Sequence, residues 1–480
     1  MQFNSYVFIM AFLPIFVIAY FALCKIKPTI GKFVLIVAGA IFYVYAGWDI
    51  AIIFGISIVV NYVMAILISK FPGKRIFLAI AITGNVLLLL YFKYLNFFIT
   101  NFNTFVEKDI PLKELVLPLG ISFFTFQQIM YVVGIYNKSV TLNFLDYLAY
   151  ISYFPKIIMG PLNDPKDFID QINDDEKKKI NWDNIANGLK VFSLGLFKKL
   201  ILADTFAKAV AWAYANMEAA TSMDWILAML FYTFEIYFDF SGYTDMAVGV
   251  SNMINIKLPM NFDSPYKAIS IRDFWKRWHM SLTRFFTKYI YFPLGGSKKG
   301  TIRTYVNTMI IFLISGIWHG ANWTFILWGA LHGAFSIFDR VTEKHRNKVH
   351  IAVQWTMTFL VVNVLWLLFR SDTIAQWQEI LYKIVTFQDM SISEGMINTF
   401  ILPETTFIFT TLKLAATNIA VRGFSLLIFT LFGYGICLLP ENNYKKLDSN
   451  NWFMLIVSVI AFVWGVLCLS SESVFVYFNF

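Results

Sequence analysis

The chain is poor in charge and in cysteine, and it lacks nearly every local signature of a soluble enzyme. Only 14% of its 480 residues are charged, against roughly 25% in a soluble domain. A water-soluble fold of this composition would lack the polar surface to cover itself. The three cysteines, Cys24, Cys437 and Cys468, sit in or beside apolar runs and form no Cys-x-x-Cys pair, which argues against a disulfide framework or a zinc site. There is no Gly-x-Ser-x-Gly elbow, so a serine-hydrolase mechanism has no support. There is no Gly-x-x-x-x-Gly-Lys-Ser/Thr loop for a nucleotide phosphate. No basic tract is long enough to suggest nucleic acid, and the formal charge of +9 reads as basic cytoplasmic loops. The N-terminus lacks a basic n-region and a small-residue cleavage site, so residues 6–24 read as a retained first span. No internal repeat is visible, which weakens an inverted-repeat transporter.

Apolar and aromatic residues fill the place of what is missing. The chain is 58% hydrophobic and 19% aromatic, with 51 phenylalanines. So much apolar surface must face lipid. Candidate spans are Tyr6–Cys24, Phe33–Trp48, Ile50–Ile68, Ile76–Phe98, Val116–Tyr136, Phe144–Met159, Gly188–Ala203, Trp225–Phe240, Tyr305–Trp318, Trp323–Phe338, Val353–Phe369, Phe424–Leu439 and Trp452–Leu469. The expectation is an all-α, polytopic transmembrane helical bundle of about 10 to 12 spans, the shorter runs being re-entrant or interfacial. It reads as one membrane domain over 1–480, with N-terminal spans (1–160), a polar loop (161–187), a catalytic core (188–340) and C-terminal spans (341–480). Lys25, Lys27 and Lys32 follow the first span, and Lys70, Lys74 and Arg75 follow the third. That bias puts the N-terminus outside and residues 25–32 in the cytoplasm. Ser371–Glu404 reads as a polar stretch able to hold a helix on the membrane surface.

Ionisable residues inside apolar runs are costly and mark function, and they gather in Glu235–Gly329. Phe238–Asp245 holds Asp239, Tyr243 and Asp245. Asp239 and Tyr243 share a helical face, while Ser241 and Gly242 are expected to interrupt the helix; bracing neighbouring helices is an equal reading of both carboxylates. Leu258–Tyr266 carries two prolines and reads as an irregular connection, with Asn261 holding it. In Ile271–Leu282, Arg272, Lys276, His279 and Thr283 fall on one helical face and Phe274, Trp278 and Leu282 on another. The plain reading is an interfacial helix anchored by tryptophan; the sharper one uses Arg272, Lys276 and Trp278 to hold a phosphorylated acyl donor. Ile314–Trp323 places His319 at the end of an apolar run, beside Trp318 and Gly320, and His332 follows in Trp328–Gly333. A histidine in such a run is commonly a hydrogen-bonded structural residue, yet three of the chain's five, His279, His319 and His332, fall within 54 residues. A neutral imidazole suits proton removal from an alcohol attacking a thioester. No serine nucleophile is required. The spacing of His279, His319 and His332 matches no familiar metal motif, and no metal is expected.

These motifs resemble the membrane-bound O-acyltransferase family, and within it the bacterial alginate O-acetyltransferase branch. The resemblance rests on Phe238–Asp245, Leu258–Tyr266, Asp273–Leu282, Tyr291–Gly296, Ser315–Trp323 and Trp328–Gly333, with weaker support from Leu117–Phe126, Tyr153–Pro161 and the ending Val474–Phe480. It implies a helical membrane domain with a funnel-like cavity, His319 as the essential histidine and His279 as the second. It further implies acetyl-CoA or a related cytoplasmic thioester as donor, with no tightly bound cofactor. The acceptor would be an exported or cell-surface polysaccharide, served by a separate extracytoplasmic acetyltransferase partner, at a bacterial cytoplasmic membrane. The chain departs from the branch at Arg284–Tyr289, where a pattern closer to Trp-Leu-Arg-Asp-Tyr is usual. Two alternatives stay open: D-alanyl transfer to teichoic acid, and a lipid-linked sugar transporter or flippase using Asp239, Asp245 and the histidines.

Overall fold

Helices that cross a membrane turn the usual amphipathic pattern inside out, and the Trp48–Lys70 helix illustrates it. Ile52, Ile56, Val59, Val60 and Val63 are exposed along one face, where lipid would lie. Ser57 and Asn61 lie on the buried face. There Asn61 donates to Gln128 Oε1 at 2.8 Å, and Asn85 donates to Asn61 Oδ1 at 2.6 Å. These amide bonds tie three helices together away from lipid.

The computed structural model describes residues 1–413, 418–445, 447, 451–469 and 475. Of the C-terminal motif Val474–Phe480, all but Phe475 lies outside the described residues. The described residues form helices and connections, with no strand among them. Among the described residues, six helices are long and apolar enough to cross a membrane: Val7–Ile26, Trp48–Lys70, Arg75–Val106, Thr301–His319, Ile351–Arg370 and Ile419–Leu438. Ile30–Val44, Ile121–Tyr136 and Trp452–Leu467 are apolar but shorter. Contacts within the chain divide it into two compact units. The first comprises Met1–Gly195, Tyr243–Met260 and Leu447–Leu469; the second comprises Leu196–Gly242, Asn261–Lys446 and Ser470–Phe480.

Three local expectations change. Ser241 and Gly242 do not interrupt their helix, which runs unbroken over Ser222–Met253. A mid-helix glycine costs about 1 kcal/mol, and burial of nearly every residue from Phe231 to Ile256 offsets that easily. The run 144–159 is two short helices, Phe144–Ile151 and Phe154–Ile157, rather than one span. The basic aromatic helix over 271–282 is also two pieces, Ile271–Arg277 and Met280–Phe286, with a break at Trp278 and His279.

Candidate active site

Within the second unit, the helices Thr301–His319 and Trp323–Val341 form a tight hairpin. Glycines set how close they come. A Cβ on Gly316 would overlap the carbonyl oxygen of Phe325, and one on Gly329 would overlap that of Phe312. Small residues at such crossings let two backbones approach without hydrophobic drive from water. Asn322 caps the second helix by accepting from the Thr324 N–H at 3.1 Å. His319 is thereby fixed as the last residue of the first helix. It is buried, and its ring packs 4.9 Å from Trp318, 5.2 Å from Trp328 and 5.3 Å from Phe369, all edge-on.

His279 occupies the break between the two short helices, with φ 43° and ψ 50°. A non-glycine residue in this left-handed region is strained by about 1–3 kcal/mol, and Asn261 holds it there. The Asn261 carbonyl accepts from the Met280 N–H at 2.8 Å. Its side-chain Oδ1 accepts from the Ser281 N–H at 3.1 Å and from Ser281 Oγ at 2.8 Å. Asn261 therefore starts the second helix from outside, a tertiary version of an N-cap. The same Oδ1 lies 3.1 Å from His279 Nδ1. An oxygen already accepting from a backbone N–H is an acceptor, so Nδ1 carries the proton and Nε2 keeps its lone pair. Burial, with the charge of Arg284 adding to it, pushes His279 down to about 3. The ring stays neutral at physiological pH.

His332 is the reverse case. The Trp275 indole N–H, which can only donate, is 3.2 Å from His332 Nδ1. Nδ1 is therefore bare and the proton sits on Nε2. His332 and Trp328 are both fully buried, 4.6 Å apart between ring centres, and Trp328 also touches His319. One tryptophan thus lies between two histidines.

A cavity of about 340 Å³ opens beside this cluster. Trp275, Phe286, Phe312 and Ile337 give it apolar walls, and Ser315, Ser336, Thr283 and Thr287 add hydroxyls. Arg272, Lys276 and Arg340 supply three positive charges. Arg272 is engaged with Glu343 at 2.9 Å. Lys276 and Arg340 are exposed. Ser315 is one helical turn from His319, and Ser336 one turn from His332.

The structure thus brings together His279, Asn261, Trp318, His319 and His332 in one unit, with Arg272 and Lys276 at the cavity. Trp278 lies apart from that cavity, packed 4.9 Å from Trp366 and 5.6 Å from Phe274. Asp239 is buried in an ion cluster: Lys199 Nζ is 2.7 Å from Asp239 and 2.9 Å from Asp204. Tyr243 and Asp245 belong to the first unit, where Tyr243 stacks on Phe3 at 4.9 Å. Sequence reasoning missed Arg340, Trp275 and Trp328 as neighbours of the site, and Lys199 as the partner of Asp239. Arg340 falls on the cavity face at helical spacing from Ser336, a signal available in hindsight. Lys199 carried no such signal. Among the described residues no group of three His, Cys, Asp or Glu side chains could hold a metal ion.

Residues 136–376, which include every one of these cavity and histidine positions, match the family model for MBOAT, the membrane-bound O-acyltransferase family. The chain belongs to the membrane-bound O-acyltransferase family. It is 36% identical to a peptidoglycan O-acetyltransferase of Helicobacter pylori, over all of this chain and 97% of that one. It is 34% identical to the "Probable alginate O-acetylase AlgI" of Pseudomonas aeruginosa, over 81% of this chain and 76% of that one. A teichoic acid D-alanyltransferase of Bacillus subtilis is 29% identical over 49% of this chain and 63% of its own length. This membrane-bound O-acyltransferase is an O-acetyltransferase and a multi-pass membrane protein.

Proposed function

We propose that the chain takes acetyl from a phosphate-bearing thioester at its cytoplasmic end and moves it toward a hydroxyl of a cell-surface glycan, with His319 as general base. The carrying observation is the reach of the cavity. A thioester entering between Lys276 and Arg340 would lie against Ser315, one helical turn from His319. Acetyl-CoA has the matching form, with phosphates for the cations and a slim apolar arm for the aromatic walls. The basic residues Lys298, Lys299, Arg303, Arg340, Lys344 and Arg346 cluster at one end of the hairpin, while 320–322 carry no charge. The basic end is the cytoplasmic one by the positive-inside rule.

The chemistry needs one proton carried across one bond exchange. His319 accepts the proton of the acceptor hydroxyl as its oxygen attacks the thioester carbonyl. The tetrahedral intermediate collapses, the C–S bond breaks, and the imidazolium returns the proton to the departing thiolate. His279, with its bare Nε2 held in place by Asn261, serves as a positioning or relay group. The relatives differ in glycan, peptidoglycan in one case and alginate in others. An extracytoplasmic acetyltransferase partner would complete delivery to the polymer.

The test supplies acetyl-CoA to membranes that hold the full-length protein and the glycan acceptor. Free thiol should appear, and mass spectrometry should find acetyl on the glycan. Replacing Lys276 and Arg340 together by glutamine should raise the donor KM about tenfold, as lost charge-assisted contacts do. No thiol release, or thiol release with no acetyl on the glycan, would overturn the reading.

A further inference from the structure

The first unit holds a groove of its own, which shares no residue with the donor cavity. The helices Trp182–Phe197 and Trp452–Leu467 leave between them a cavity of about 500 Å³. One wall carries Asn187, Lys190 and Ser193, and the other Asn451, Leu455, Ser458 and Phe462, each set on a single helical face. Leu189, Leu455 and Val459 stand exposed at its edges, so it opens toward lipid. Its polar groups are sorted. Ser193 and Ser458 donate to the carbonyls of Leu189 and Leu455 in their own helices, at 2.7 and 2.8 Å. Each hydroxyl hydrogen is thereby spent, and the walls around them suit hydrocarbon. Lys190 is the exception. It lies about 12 Å along its helix from Trp182 and is only 9% exposed. Its Nζ donates to Asn187 Oδ1 at 3.1 Å and to the Leu447 carbonyl at 2.8 Å. A lysine near a helix end commonly snorkels out to water; this one is held inside the groove.

The groove's depth follows from one long-range bond. The Tyr6 hydroxyl, at the start of the first span, donates to the Val466 carbonyl at 3.2 Å. Lys25, Lys27 and Lys32 follow the other end of that span. The Asn451 end of the Trp452–Leu467 helix therefore faces the cytoplasmic leaflet, and Trp452, 80% exposed, is placed as an interfacial anchor. We propose that this groove binds one anionic phospholipid of the cytoplasmic leaflet. Its phosphate would sit on Lys190 between the Asn187 and Asn451 amides, and one acyl chain would run over Leu455, Val459 and Phe462. Charge and layout select this occupant. A groove between spans is filled either by lipid or by another helix. Helices approach one another over small residues, and this wall offers Met454, Leu455, Val459 and Phe462, with only Ser458 small. A cation and two amides at one end, with apolar side chains beyond, complement a phosphate head and its hydrocarbon tail. The lipid would tie the last described helix to Trp182–Phe197. The site is independent of the acyl-transfer reading.

The test is native mass spectrometry of the detergent-solubilised full-length protein, titrated with phosphatidylglycerol or with phosphatidylethanolamine of the same acyl chains. The wild-type chain should retain one phosphatidylglycerol under activation that strips phosphatidylethanolamine, and that lipid should raise its unfolding temperature. Lys190→Gln should weaken phosphatidylglycerol binding about tenfold, as loss of a charge-assisted contact does, and so remove the preference. Lys190→Arg, which keeps the charge, should retain it. Val459→Trp, at a position half-exposed and free of any packing duty, should fill the tail's path and weaken both lipids while the protein stays folded. Equal retention of the two lipids by the wild-type chain would overturn the proposal. So would an undiminished preference in Lys190→Gln, loss of the preference in Lys190→Arg, or undiminished binding in Val459→Trp. A wild-type dimer that carries no lipid and separates on Val459→Trp would show that a second copy fills the groove, and would overturn it too.

Discussion

His279 and His332 are both fully buried imidazoles in the same unit, yet one neighbour gives each the opposite protonation pattern. At His279 the neighbour is an oxygen, Asn261 Oδ1, so the proton is on Nδ1 and Nε2 is an acceptor. At His332 it is an indole N–H, Trp275, so Nδ1 accepts and Nε2–H is a donor. Burial fixes neutrality in both cases, and a single hydrogen bond fixes the role. His279 is equipped to accept a hydrogen bond at Nε2. His332 is equipped to hold Trp275, a wall of the cavity, in place.

Substitutions can break or sharpen this contrast. The largest expected effect is at His319: His319→Ala should cut acyl transfer by about 10²–10⁴-fold, the usual worth of a general base, with membrane insertion unchanged by protease protection. His279→Leu should come next, lowering kcat about 10²-fold with little change in donor KM, since it removes the only bare nitrogen that Asn261 orients. Asn261→Leu should cost less in kcat, roughly tenfold, but should also destabilise the Met280–Phe286 helix by about 1 kcal/mol through loss of its cap. The two effects are separable by comparing kinetics with unfolding midpoint. His332→Leu should act chiefly on stability, by about 1–3 kcal/mol, because it leaves the Trp275 N–H buried without an acceptor. His332→Asn, whose side-chain oxygen can accept in the place of Nδ1, should recover part of the loss. A further effect is in pH. The folded state holds His279 near 3 while an unfolded chain has it near 6.5. The folded state then binds fewer protons between those values, so His279's contribution to stability is whole above pH 6.5 and is lost as pH falls toward 3. Wild type should lose more in unfolding temperature than His279→Gln across that window.

Long apolar runs made the membrane class and the main spans legible from sequence. Ile50–Ile68 matches Trp48–Lys70, and Val353–Phe369 matches Ile351–Arg370. The histidines stood out because they are few and lie in glycine- and tryptophan-rich runs. The break at Trp278 and His279 was not legible, because its cause is Asn261, distant in sequence and recruited by folding. Nor was the unbroken helix through Gly242, where burial outweighs local propensity.

The most direct measurement is the ring ¹⁵N spectrum of the full-length protein labelled at histidine, with His279→Gln and His332→Gln assigning the signals. At pH 7 His279 should show a protonated Nδ1 and a bare Nε2, and His332 a bare Nδ1 and a protonated Nε2. The same tautomer at both sites, or a doubly protonated ring at either, would contradict the division of roles.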